Sequence, residues 1–247
     1  MKTMMKQNRE MSPRFLARMV FILAALEGQA HLWGQLRIPG RLVVSTDAAA
    51  TAAQILGNES LFRFSLALSL LAVVFNVART VLNYVLFRPL GKTVSLLLAF
   101  FGLIAVALQA ASILPELPVL AILKNGKSLG AFNAEQLQSL ALLFFKWNGQ
   151  ASNFYLAFFG FCCILGGYVI YKSIFLPRIL GVLLAIAGLG YSTYLWPPLA
   201  DYLYPYNLAL GIGELILGLW LLIFGVNVER WKEQARATGE REAQSLA

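Results

Sequence analysis

The sequence predicts an all-α polytopic membrane helix bundle with six transmembrane helices, and three observations predict it. The chain has 247 residues, of which 59% are hydrophobic and 13% are charged, and its mean hydropathy is +0.68. Several apolar runs are long enough to cross about 30 Å of hydrocarbon at about 1.5 Å per residue. None of these runs alternates polar and apolar residues as a barrel strand would. Helices are therefore the expected spanning elements, because they satisfy their backbone polar groups within the lipid.

Apolar runs bounded by charged residues, proline or glycine mark the positions of the spans. The six predicted spans lie near residues 15–36, 61–87, 93–114, 149–171, 178–196 and 207–227. The first run follows a basic segment, as the apolar part of a signal peptide does, but it carries Glu27 and His31 and lacks a small-residue cleavage site. We therefore expect the first run to be retained as a span.

The distribution of lysine and arginine predicts the orientation of the bundle. An even number of spans places both termini on one side, which holds thirteen lysines and arginines against five on the other. The positive-inside rule then predicts an inner (plasma) membrane protein with both termini in the cytoplasm, N-in/C-in. Residues 1–14 would form a basic cytoplasmic N-terminus, 15–227 the transmembrane domain, and 228–247 a charged cytoplasmic tail with a frayed helix.

This topology also accounts for the net charge of +8, because the excess lies on the predicted cytoplasmic side. A nucleic-acid partner is therefore not needed to explain the basic composition. The expected partners are the lipid bilayer and a small-molecule or lipid ligand, and the sequence predicts no oligomeric state.

A short external helix is predicted between the first two spans. The stretch "STDAAATAAQILGNES" offers Thr46 or Asp47 as N-cap, an alanine-rich body and Gly57 as terminator. We expect this helix over about residues 47–57.

A second external helix is predicted before the fourth span. An unbroken helix from Ala134 to Tyr171 would be about 57 Å long, more than a tilted span usually needs. Asn148 and Gly149 form the strongest turn dipeptide in the region, so we expect a break there. Residues 134–145 would then lie in the external interface, and the fourth span would begin near residue 149.

Three segments, in order along the chain, carry a resemblance to a known family. They are "TDAAATAAQILGNESLFR", "FNAEQLQSLALLFF" and "YKSIFLPRILGVLLAIAGLGY". From about Phe15 to Asn227 their order and spacing resemble the bacterial DUF4386 family of small polytopic membrane proteins. The resemblance implies a multi-span membrane fold and assigns neither an activity nor functional residues.

Charged and polar side chains within the apolar spans indicate where a functional site would lie. A charge near the bilayer centre costs at least about 2.5 kcal/mol, so it must be paired, hydrated or functional. Helical register places several of these side chains on shared stripes. The candidates for ligand binding or a proton pathway are Glu27, His31, Arg79, Glu214, Gln109, Gln150, Asn153, Asn76, Asn83 and Lys146.

Depth within the spans predicts which candidates meet. Glu27 and Glu214 lie at similar depths from the same end, and Arg79 can reach towards either acid, with Glu214 as the preferred partner. This pair could be a register device or part of a gate or binding site. His31 lies one turn from Glu27, and that couple could be a helix contact or a proton relay, because histidine titrates near neutral pH. Lys146 would lie at the interface, either snorkelling to water or at the rim of a cavity.

The sequence disfavours several enzyme classes and predicts no cofactor and no metal. A single histidine excludes an HExxH motif and a three-histidine zinc site, and the adjacent Cys162 and Cys163 lack ordinary ligand spacing. No serine elbow, P-loop or dinucleotide fingerprint is present.

Three functions remain open. The first is an externally open polar pocket that binds or transports a small molecule, a lipid headgroup or a proton. Its titratable core would be Glu27, His31 and Glu214, with Arg79 closing the cytoplasmic side. The second is a lipid-modifying enzyme with Glu27 and His31 as acid and base. The third is a structural or regulatory subunit in which the buried charges fix helix register. The shared polar stripes favour the first, non-enzymatic function.

Overall fold

The computed structural model describes residues 11–124, 130 and 132–244, with side chains described as far as residue 240. Within these ranges the chain is helical and contains no strand. Lys2, Lys6, Arg9 and Lys127, on which part of the orientation argument depends, lie outside the described residues, as does the side chain of Arg241. Which end of the bundle faces the cytoplasm stays a prediction.

Six helical stretches of the described chain are long and apolar enough to cross a membrane, which confirms the predicted six-span all-α membrane fold. They are Pro13–Leu42, Glu59–Leu90, Lys92–Lys124, Ala134–Lys172, Arg178–Leu195 and Tyr206–Ile223.

The first stretch consists of three consecutive helical pieces. Helix α1 (Pro13–His31) continues as a π-helical turn (Leu32–Arg37), and α2 (Pro39–Leu42) ends the stretch. Close packing holds the π-helical turn against the next span, because a Cβ at Gly34 would lie only 2.6 Å from Ser69 Oγ.

The short helix expected near residues 47–57 is α3 (Ala48–Gly57). Its N-cap is Asp47, whose Oδ1 accepts a hydrogen bond from the backbone N–H of Ala50 at 2.9 Å. Helix α4 (Glu59–Phe87) follows and packs along α1.

The next stretch begins after a tight connection between spans. A 3₁₀ turn (Arg88–Leu90) and Gly91, at a φ of +120° that favours glycine, lead into α5 (Lys92–Ile113). A second 3₁₀ turn (Leu114–Glu116) and α6 (Val119–Lys124) complete it.

The break predicted at Asn148 and Gly149 is wrong, because α7 runs without interruption over the 39 residues Ala134–Lys172. Asn148 does not turn the chain. Its Nδ2 donates to Gln35 Oε1 at 2.6 Å and to the backbone oxygen of Ser112 at 3.0 Å. Packing against α5 and against the following helix outweighs the cost of about 1 kcal/mol for a glycine inside a helix. Residues 134–145 are therefore the first turns of α7, not a separate helix.

Four glycines bring α7 against α8 (Arg178–Ser192). A Cβ at Gly160 would lie 2.7 Å from the backbone oxygen of Gly188, and one at Gly188 would lie 2.5 Å from that of Gly160. Gly167 and Gly181 make the same reciprocal contact at 2.5 Å. The two helix backbones thus touch directly, as small residues allow in membranes.

The C-terminal part contains a 3₁₀ turn and four helices, of which α11 contacts both α1 and α8. The elements are Thr193–Leu195, α9 (Pro197–Leu203), α10 (Tyr206–Ala209), α11 (Ile212–Ile223) and α12 (Val228–Gln244).

The tail is a docked helix and not the frayed one expected from its sequence. Trp231 Nε1 donates to the backbone oxygen of Leu86 at 2.8 Å, and Thr238 Oγ1 donates to that of Pro89 at 2.7 Å. Helix α12 therefore covers the end of the bundle where α4 meets the connection to α5.

Candidate functional site

A cavity of about 1090 Å³ lies within the bundle. Its wall is drawn mainly from α1, α4, α5, α7, α8 and α11, with further residues from the π-helical turn and from the 3₁₀ turn after α5. Small-molecule sites usually measure roughly 300–1,000 Å³, so the cavity is large enough for a ligand of substantial size. Apolar side chains such as Val20, Leu98 and Leu221 form part of the wall.

Most of the predicted site residues share this one cavity. Those on its wall are Glu27, His31, Asn76, Arg79, Asn83, Asn153 and Glu214. Gln109 is buried beside it and reaches the site through hydrogen bonds. Lys146 and Gln150 are exposed positions of α7 that do not belong to the wall.

Arg79 lies between two carboxylates at the centre of the site. Its Nη1 is 3.8 Å from Glu214 Oε1 and its Nη2 is 3.9 Å from Glu27 Oε2, so the predicted contact with Glu214 is present and Glu27 shares the arginine. Nη2 also donates to Asn76 Oδ1 at 2.9 Å. The guanidinium carbon lies 5.3 Å from the ring centroid of Phe159, while Nε is buried with no hydrogen-bond partner.

Glu27 is held by neutral donors from two other helices. Its Oε1 accepts hydrogen bonds from Gln109 Nε2 at 3.2 Å and from the Tyr155 hydroxyl at 3.3 Å. Gln109 in turn accepts a bond from Asn76 Nδ2 at 2.8 Å. Because Asn76 also binds Arg79, one network joins α1, α4, α5 and α7.

Glu214 occupies the first turn of α11, where the helix dipole favours a carboxylate. Leu210 and Gly211 form a turn immediately before the helix. The N–H of Glu214 donates to the backbone oxygen of Gly211, three residues earlier, at 3.0 Å. Oε2 of Glu214 accepts a hydrogen bond from the Tyr191 hydroxyl at 3.4 Å. A Cβ at Gly211 would overlap that hydroxyl, so glycine makes room for the contact.

His31 lies on the cavity wall without bonding to Glu27. Its Nδ1 is buried and has no hydrogen-bond partner. The imidazole instead lies beside Tyr155, with 5.7 Å between ring centroids. Tyr155 therefore contacts both members of the couple proposed from sequence.

Sequence reasoning missed the stripe by which α7 faces the cavity. Asn148, Ser152, Tyr155 and Phe159, spaced by four, three and four residues, all lie on the wall. The sequence candidates Lys146, Gln150 and Asn153 have the same spacing but are displaced by two residues, and of them only Asn153 reaches the wall. Treating Asn148 as a polar face residue would have revealed it.

Two further cavity residues were missed. They are Tyr191, in α8, and Glu116, in the 3₁₀ turn after α5. Both line the cavity. The signal for Tyr191 was its place on a glycine-rich face of α8, whereas the burial of Glu116 arises only when several helices meet.

Residues 19–225 match the family described as a domain of unknown function, DUF4386. The chain belongs to the DUF4386 family. The match confirms the resemblance drawn from the three segments and takes in Glu27, Arg79 and Glu214.

This DUF4386 chain is also 26% identical over 155 residues to an uncharacterized protein of Archaeoglobus fulgidus. The similar region covers 63% of this chain and 80% of the archaeal protein. No solved structure matches the chain.

The chemistry available to the cavity comes from three acids, one guanidinium and one imidazole on its wall, which are Glu27, Glu116, Glu214, Arg79 and His31. In the ranges that the structure describes, no group of three or more His, Cys, Asp or Glu side chains is placed to hold a metal ion. The site offers hydrogen-bond donors and acceptors of both charges to a molecule in the cavity.

Proposed function

We propose that this membrane protein binds a small amphipathic molecule in the cavity, with the charged headgroup of that molecule at Arg79, Glu27 and Glu214. The observation that supports the proposal most is the open spacing of the cluster. Arg79 stands 3.8 and 3.9 Å from the two carboxylates. Charge-assisted hydrogen bonds close to about 2.7–2.9 Å, so neither pair makes one.

A pair whose role is only to fix helix register would be expected to close, because buried charges need excellent geometry and full hydrogen bonding. Here Nε of Arg79 has no partner, and the side chain of Glu214 keeps 33% of its surface exposed. A headgroup between these side chains would provide the missing partners.

The charges of the site favour a particular class of headgroup. Two carboxylates and one guanidinium give the cluster a net charge of −1 when His31 is neutral. A zwitterionic or cationic headgroup fits this balance, with its positive part near Glu27 and Glu214 and any negative part near Arg79. The apolar side of the wall suits a hydrocarbon portion. A lipid or a lipid-like molecule has both features.

Both transport and lipid modification would begin with binding of a ligand in the cavity. Transport would in addition require the bound ligand to move across the membrane. The lipid-modifying alternative has less geometric support, because Glu27 is bonded to Gln109 and Tyr155 and not to His31. The structural alternative predicts that changes in the cluster affect stability alone.

Native mass spectrometry of the full-length protein, purified from membranes in mild detergent, tests the proposal. We expect the wild type to retain a bound small molecule or lipid at an activation energy that strips bulk lipid. Glu214→Gln should lower its occupancy about tenfold, the worth of one charge-assisted contact.

Arg63→Gln is the matched control, because Arg63 is an exposed residue whose partner is Glu59 at 2.7 Å. Its occupancy should equal that of the wild type. A wild type without bound molecule, or equal occupancy in Glu214→Gln and the wild type, would contradict the proposal.

A further inference from the structure

We propose that Glu116 forms a second site in the same cavity, which binds one monovalent cation, either H⁺ or Na⁺. The site is separate from the Arg79 cluster and does not depend on the ligand proposed there.

Glu116 is a buried acid with an unused oxygen. It ends the 3₁₀ turn that follows α5, lies on the cavity wall, and is only 2% exposed. Its Oε2 is buried and has no hydrogen-bond partner. A buried ionised carboxylate without compensation is very costly, so such a group is neutralised by a bound cation or proton.

The polar side chains around Glu116 are neutral. Gln35 is in polar contact with the carboxyl group. Gln35 Nε2 donates to Ser69 Oγ at 2.7 Å, and its Oε1 accepts from Asn148 Nδ2 at 2.6 Å. Asn148 is also bonded to the backbone oxygen of Ser112 at 3.0 Å. Four elements therefore contribute to one neutral hydrogen-bonded chain, which reaches the acid through Gln35.

No described cation compensates Glu116. None of the ion pairs formed by the described residues includes Glu116, because Arg63 pairs with Glu59 and Arg79 lies beside Glu27 and Glu214. Arg37 and Lys146 are exposed, and Lys124 pairs with Glu59. Among the residues that the structure describes, no side chain supplies the positive charge that Glu116 would need.

The π-helical turn that carries Gln35 is an independent indication of a site. Such turns are rare and frequently lie at functional sites. Gly34, next to Gln35, lets the turn approach α4 so closely that a Cβ there would lie 2.6 Å from Ser69 Oγ. The unusual backbone thus places the Gln35 amide between the acid and Ser69.

Both cations would neutralise the same carboxylate by different chemistry. Hard cations such as Na⁺ prefer oxygen ligands, and the unpartnered Oε2 of Glu116 is such a ligand. A proton requires only the carboxyl group. In either case occupancy changes the net charge of the cavity by one, which gives a route for coupling the cation to a ligand elsewhere in it.

Thermal unfolding of the full-length protein in detergent tests the site, with Glu116→Gln as the variant and the exposed Glu135→Gln as control. If the cation is Na⁺, replacing choline by Na⁺ at constant ionic strength should raise the wild-type Tm by about 5 °C at saturation. If it is H⁺, the wild-type Tm in choline chloride should fall as pH rises through neutrality. The reason is that the folded state then binds one proton more than the unfolded state.

Glu116→Gln should remove whichever dependence the wild type shows, and Glu135→Gln should keep it. The proposal would be overturned by a wild-type Tm that responds to neither Na⁺ nor pH, or by a response of Glu116→Gln that equals that of the wild type.

If Glu116→Gln does not fold, two other measurements decide. They are binding of ²²Na⁺ to the wild type, and an infrared band of a protonated carboxyl group that shifts in Glu116→Asp. Either result supports the site, and the absence of both overturns it.

Discussion

Two glycines of α7 should respond to the same substitution with opposite sign. Gly149→Ala places a methyl group where, apart from its chain neighbours and the backbone of its own helix, no heavy atom lies within 4 Å. Alanine is favoured over glycine inside a helix by about 1 kcal/mol, so the free energy of unfolding should rise by about that amount. The substitution also tests whether residue 149 lies within a continuous helix.

Gly160→Ala meets backbone atoms. Its Cβ would lie 2.7 Å from both the oxygen of Gly188 and the nitrogen of Ser192, which is 0.7 Å short of ordinary contact at 3.4 Å. Backbone cannot rotate away as a flexible side chain does, so α8 must move. Overpacking of this kind costs about 1–3 kcal/mol. The two variants should therefore differ by about 2–4 kcal/mol in stability, or about 5–15 °C in Tm for a chain of this size.

The Tm of both variants can be measured in one detergent by heating the protein and quantifying the remaining folded fraction by size-exclusion chromatography with tryptophan fluorescence. The double variant Gly160→Ala/Gly188→Ala adds a second test. Once the first methyl group has separated the helices, the second should cost less, so the combined loss should be smaller than the sum. Destabilisation by Gly149→Ala as large as that by Gly160→Ala would refute the reasoning and restore a turn at residue 149.

Three further substitutions test other contacts. Arg79→Gln should lower the free energy of unfolding by about 3 kcal/mol, because it leaves the buried Glu27 and the one-third-exposed Glu214 without a counter-charge. Added Glu214→Gln should restore part of the loss in thermal unfolding. No rescue would mean that charge is not the cause. Tyr155→Phe should cost about 1 kcal/mol, the value of one hydrogen bond; an unchanged Tm would show that this bond is weak. Trp231→Phe should remove the hydrogen bond to the backbone oxygen of Leu86, at a similar cost in stability, and should speed limited proteolysis of α12. An unaltered cleavage rate would mean that other contacts hold the helix.

The six spans could be predicted because length and hydropathy are local properties of the chain. The contact between Arg79 and Glu214 was also predictable, since depth along each helix follows from residue counting. Depth did not show that Glu27 and Glu214 would both contact the same arginine, because this depends on which face α1 turns towards α4.

The continuity of α7 could not be predicted from local rules. Asn148 followed by Gly149 favours a turn in isolation, but Asn148 is bonded to side-chain and backbone atoms of Gln35 and Ser112, which belong to other helices. Tertiary contacts of this kind outweigh the cost of about 1 kcal/mol for placing a glycine inside a helix. The same error hid the cavity-facing stripe, because the register of α7 was then counted from Lys146.

Glu116 shows how a fold can create a site that no local pattern indicates. In the sequence it lies between Pro115 and Leu117, in a segment that resembles a connecting loop. An acid in such a loop normally faces water. The fold buries it because the chain continues into α6 and α7 covers the turn. Its neighbours Gln35 and Asn148 come from distant parts of the chain and bring no charge with them. The uncompensated carboxylate is thus a consequence of packing, and a cation from solution is the most direct way for the folded chain to remove its cost.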